Sequence, residues 1–150
     1  MWTNVVFFNA LQLGVSWYAC KRGGKPERWV AIAMIAAAIA TLVAYSPYPQ
    51  TFFEVEYGVF VIDLLLLGSL VGIAVNANRY WPMGMASLHL ASTIAHLGKL
   101  LDLSMSNWAY ALLLKFWAYP MLLTLVIGTM RHRRRLAHYG VDRSWSTFNA

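Results

Sequence analysis

The sequence predicts an all-α, polytopic membrane helix bundle with five transmembrane helices, and three observations carry that prediction. The 150 residues are 59% hydrophobic and only 12% charged, about half the charged share of a soluble domain. A compact domain of this size still shows much of its surface to water, so a soluble core cannot absorb that apolar excess. The apolar residues also arrive in five blocks, each near the ~20 residues that a helix needs to cross a hydrocarbon layer of about 30 Å. Finally, basic and acidic connections alternate along the chain.

The expected spans are residues 2–20, 29–46, 56–76, 82–101 and 108–130. They leave connections too short for a soluble domain, so residues 1–135 read as one transmembrane domain and 136–150 as a short tail. Span 1 is expected to remain as an anchor. Its charges follow the apolar region instead of preceding it, and no A-x-A-like site ends it. The single cysteine, Cys20, excludes an internal disulfide and a multi-cysteine metal site. Span 2, "WVAIAMIAAAIATLVAY", is rich in alanine, which lets helix backbones approach closely in lipid. "SPYPQTFF", which follows it, reads as an extended interfacial loop anchored by aromatic rings.

Span 3 places Gly68 and Gly72 in a GxxxG arrangement, a close-packing signal that serves either within the bundle or between protomers. Span 4 opens on Pro82, which suits the first turn of a helix. Pro120 lies inside span 5, where its missing N–H leaves the Phe116 carbonyl without a donor and predicts a kink.

Charge gives the orientation. Lys21, Arg22, Lys25 and Arg28 follow span 1, Arg79 follows span 3, and Arg131, Arg133, Arg134 and Arg135 follow span 5. Glu54, Glu56 and Asp102 occupy the other two connections. With five spans the basic segments share one side, which the positive-inside rule makes the cytoplasm. The N-terminus is then outside and the C-terminus inside. The net charge of +6 is explained by these topology determinants and by contacts to anionic headgroups, so no nucleic-acid partner is expected. In the tail, Trp145 and Phe148 suit the cytoplasmic interface.

Ionisable residues at membrane depth are costly and by default mark a functional site. Counting 1.5 Å per residue from the outer ends of the spans puts Asp63 at roughly 10 Å, His96 at about 9 Å, and Lys115 and Asn9 at about 12 Å. Four helices thus place a polar group in one outer-leaflet layer, and Asn9, Asp63, His96 and Lys115 form the candidate ligand or proton site. In span 4, His89, Ser92, Thr93, His96 and Lys99 recur at three- and four-residue spacing and make a polar stripe. Asn9, Gln12 and Ser16 do the same in span 1. Both stripes are expected to face the bundle interior or another protein.

Three uses of this layer compete. In the first it is a structural network: Asp63 pairs with Lys115, His96 bonds to one of them, and Lys99 snorkels out toward Asp102. In the second it is a polar cavity for a proton, ion or small solute, with Asp63 and His96 titrating, since imidazole changes charge near neutrality. In the third the stripe meets a partner membrane protein. Trp117 and Tyr119 are placed to wall the site, and Trp108 and Tyr110 read more simply as an interfacial belt. His89 and His96 lie about 10.5 Å apart along the axis and cannot share one metal. A Schiff base on Lys115 with Asp63 as counter-ion is conceivable chemistry, but five short spans argue against it. No metal or cofactor is expected.

The chain has no Gly-rich phosphate loop, HExxH, G-x-S-x-G or CxxC, so a non-enzymatic protein is expected. The stretch "RYWPMGMASLHLASTIAHLGKLLD", followed by "NWAY", "FWAYPML" and "RHRRR", resembles small, uncharacterised five-span bacterial inner-membrane proteins over roughly residues 54–135. The resemblance implies a bacterial cytoplasmic membrane and carries no catalytic or ligand residues with it. The expected role is a homo-oligomer or an accessory subunit of a membrane assembly, with lipid and other membrane helices as partners. A transporter or channel-like protein using Asp63, His96 and Lys115 is the alternative.

Overall fold

A computed structural model describes residues 2–44, 57–102 and 106–146. The described residues form six α-helices: α1 (Trp2–Arg22), α2 (Lys25–Ala44), α3 (Tyr57–Asn76), α4 (Trp81–Leu101), α5 (Asn107–Phe116) and α6 (Ala118–Tyr139). Three stretches are long and apolar enough to cross a membrane: α2, α3 and the rod made by α5 and α6. At 21 residues each, α1 and α4 are equally long, but their polar stripes dilute the apolar content. "SPYPQTFF", Glu54, Glu56 and Phe148 lie outside the described residues.

The helix ends differ from the expected spans where helix propensity outruns hydrophobicity. α2 starts at Lys25, with Pro26 in its first turn where no N–H is needed. α6 continues through the arginine run to Tyr139, because arginine, leucine and alanine are good helix formers even in water. Span 5 is divided in two at Trp117. Pro120 then sits in the first turn of α6, where the missing N–H costs little. The αL conformation of Gly140, with φ of 72°, ends α6 and turns the chain back.

The helices pack as a ring in which α1, α2, α3, α4 and α6 follow one another and α6 closes on α1, while α5 lies against α4 and α6. One end of the ring gathers the α1–α2 turn, the α3–α4 turn and the end of α6; this is the basic end. The apolar core occupies the half nearer to it: Ala19 from α1, Val30 and Met34 from α2, Leu70 from α3, Met85 from α4, and Leu122 and Leu125 from α6. After Gly140 the tail folds over this end. Ser146 N–H donates to the Asn76 carbonyl at 2.8 Å, Asn78 N–H to Ser144 at 3.3 Å, and Trp145 bridges to Ala77.

Candidate functional site

The polar stripes point inward. Gln12 and Ser16 on α1, and His89, Ser92, Thr93, His96 and Lys99 on α4, are all buried. A helix bearing such a stripe hides it against neighbouring helices and leaves its apolar flanks outside. Gln12 donates its amide N–H to the Met34 carbonyl of α2 at 3.0 Å. Thr93 satisfies its hydroxyl on its own helix, at the His89 carbonyl, 2.9 Å away. Ser92 reaches Leu114 of α5 across a long 3.4 Å.

In the half away from the basic end, three side chains from three helices form a chain. His96 Nε2 lies 2.9 Å from Asp63 Oδ2, and Tyr110 Oη lies 2.7 Å from His96 Nδ1. His96 is fully buried and Tyr110 is 1% exposed. The Phe60 ring lies 5.2 Å from the imidazole, and the Tyr110 ring meets it edge-on at 5.6 Å. His89, two turns along the same face of α4, donates Nε2–H to the Asp63 main-chain carbonyl at 3.0 Å.

This geometry serves two protonation states without moving a heavy atom; only the tyrosine hydroxyl hydrogen turns. In the neutral imidazole, Nε2–H donates to the carboxylate and Nδ1 accepts the tyrosine O–H. In the imidazolium, Nδ1–H donates to the tyrosine oxygen instead. A carboxylate, an imidazole and a phenol in series can therefore hold or pass one proton.

Several expectations for this layer need correction. Asp63 pairs with His96 and makes no ion pair with Lys115 among the described residues. Lys115 is exposed, and the reason is helical phase: five residues separate it from Tyr110, about 140° around α5. With Tyr110 turned toward α4, Lys115 turns away. Lys99 is 1% exposed and does not snorkel; it shares the buried face of His96, three residues back. Tyr110 belongs to the site, whereas Trp108, 74% exposed, keeps to the surface. Asn9 is half-buried on α1, which packs on α2 and α6, apart from the Asp63–His96 pair. His89, with no partner assigned from sequence, has one in Asp63. Gly68 and Gly72 are exposed, and a Cβ at either would meet nothing within 4 Å.

A second cluster, at the basic end, was not foreseen. The Arg79 guanidinium from the α3–α4 turn binds the Glu27 carboxylate of α2 through Nη1, and both side chains are almost wholly buried. Arg79 Nη2 also donates to Asp142 Oδ2 at 2.8 Å. His132 Nδ1 lies 2.5 Å from the same oxygen, and Arg135 Nε donates to Asp142 Oδ1 at 3.1 Å. Arg79 Nη2 and His132 Nδ1 are 3.0 Å apart; both are donors to Asp142, so they are neighbours on one carboxylate. Burial by itself would raise the Asp142 carboxyl. Hydrogen bonds from His132 and Arg135 and the charges of Arg79 and Arg135 outweigh it and hold the group below the usual carboxylate range. The sequence signal was present: Glu27 and Asp142 are the acids at an end otherwise dominated by cations.

Among the described residues no three His, Cys, Asp or Glu side chains converge as a metal site. No protein-family model, no curated protein and no solved structure matches the chain.

Proposed function

We propose that the chain is a small, non-enzymatic integral membrane protein that crosses a bacterial cytoplasmic membrane five times and works within an assembly, as a homo-oligomer or an accessory subunit. The assembly reading is carried by the outward GxxxG pair. A Cβ at Gly68 or Gly72 would meet nothing within 4 Å, so the pair leaves a shallow track on α3 where a second helix backbone can approach closely. The five-span reading is supported by burial. Like the more apolar helices, α1 and α4 expose large apolar side chains: Phe7, Leu13 and Trp17 on one, Leu90, Ile94 and Leu97 on the other. The basic end corresponds to the cytoplasmic side.

Self-association in liposomes, followed by resonance energy transfer between labelled copies, tests the assembly role. Gly72→Leu is expected to lower transfer while leaving the monomer folded. Equal transfer in wild type and variant would overturn the role of this face. Reporter tags that place both termini on one side of the membrane would overturn the five-span topology.

The Asp63–His96–Tyr110 chain favours a second reading, a proton-coupled site for an ion or small solute, without Lys115. Asp63→Asn should then abolish proton-linked flux in proteoliposomes while the fold persists. Flux that is unchanged in this variant would remove that reading.

A further inference from the structure

We propose that Arg79, His132 and Arg135 form a binding site for a phosphate-bearing anion at the basic end, and that Asp142 fills it as an internal substitute. Three donors from two separate elements converge on one carboxylate: Arg79 Nη2 at 2.8 Å, His132 Nδ1 at 2.5 Å and Arg135 Nε at 3.1 Å. The carboxylate does not use all that the site offers. Arg79 Nε and Arg135 Nη2 are buried and have no hydrogen-bond partner among the described residues, and they belong to the two guanidinium groups that hold Asp142. A buried N–H left without an acceptor has lost its hydrogen bonds to water and gained none in return. A carboxylate has two oxygens, whereas a terminal phosphate has three and suits the paired donors of arginine.

Charge and space agree with this assignment. Glu27 neutralises Arg79, so Asp142 is what balances Arg135. With the tail lifted, the cluster carries net positive charge, beside the exposed side chains of Arg131, Arg133 and Arg134. Such a field draws anions to the site. Gly24 makes the room: a Cβ there would lie 3.1 Å from both Arg79 Nη2 and His132 Cε1. Besides the Asp142 carboxylate, the hydrogen bonds that hold residues 141–146 among the described residues are those to Asn76 and Asn78, with Trp145 bridged to Ala77. An arriving phosphate would replace one anion by another and release the tail.

The phosphate has two possible sources, a free ion or the phosphomonoester headgroup of a lipid, and two probes separate them. The full chain in detergent micelles is titrated with inorganic phosphate by calorimetry, and with short-chain phosphatidic acid against phosphatidylcholine. Asp142→Ala is expected to bind one of the phosphate probes at least tenfold more tightly than wild type, and adding Arg135→Gln should remove the gain. A gain with inorganic phosphate supports the site for the free ion; a gain confined to phosphatidic acid supports it with a lipid source. No gain with either, or a gain that survives Arg135→Gln, overturns it. Hydrogen exchange in the wild type covers the case of a variant that does not fold. Faster exchange at residues 141–146 on adding either probe supports displacement, and unchanged exchange overturns it.

Discussion

His96 Nε2 lies 2.9 Å from Asp63 Oδ2 while His89, on the same face of α4, takes the main-chain carbonyl of that same aspartate at 3.0 Å. A spacing of seven residues returns a helix to nearly the same face, with a drift of about 20°. One residue of α3 is thus held at two points by α4, which sets the axial register of the pair. Asp63→Ala would leave the buried His96 donor without its acceptor and is expected to destabilise the fold by about 1–3 kcal/mol. Asp63→Asn keeps an acceptor oxygen and should cost less. Unfolding in mixed micelles measures the difference.

Tyr110 and Lys115 lie on opposite sides of α5 and should behave differently. Tyr110→Phe keeps the ring and removes one hydrogen bond to His96, an expected loss of about 1 kcal/mol. Lys115→Ala alters an exposed side chain and is expected to stay within about 0.5 kcal/mol of wild type. The same unfolding assay reads both.

The Glu27–Arg79 pair is buried, so removing one partner leaves the cluster they share with Asp142 and Arg135 with an unbalanced charge. Glu27→Leu or Arg79→Leu is expected to cost about 3–5 kcal/mol, whereas replacing both partners with leucine should cost much less than the sum. A double-mutant cycle gives the coupling directly. Additive losses would show that the two side chains do not depend on one another.

The tail should detach in acid. The folded state holds the Asp142 carboxyl below the ordinary carboxylate value of about 4, so the folded state favours the ionised form. Its contribution is complete above that value and is lost as pH falls through the lower, folded-state value. Protection of residues 141–146 from hydrogen exchange, taken relative to the intrinsic exchange rate at each pH, is therefore expected to be flat at neutral and mildly acidic pH and to fall below about pH 4. Asp142→Asn should exchange fast throughout.

The helices were legible because blocks of apolar residues fix where a chain can cross a membrane, and the inward stripes were legible because helical periodicity is local. The Asp63–His96 contact followed from matching the expected depths of residues on α3 and α4. Depth alone could not give azimuth, and azimuth is why Lys115 was placed in the site and Tyr110 outside it. The basic end was missed for another reason. Arg79, His132 and Arg135 were read as charges that set topology, and their acids lie far away in sequence: Arg79 is separated from Glu27 by 52 residues and from Asp142 by 63. Only the closing of the ring brings them together.

Asp142 follows the six described helices in the chain. While the helices are being inserted in the proposed orientation, the cations at the basic end stand without this counter-charge and can act at full strength as retention signals. Compensation arrives only when the tail emerges, after the threading of the helices is decided. The same arginines therefore serve twice in sequence: unbalanced during biogenesis, when asymmetry is needed, and balanced afterwards, when a buried excess of charge would weaken the finished bundle.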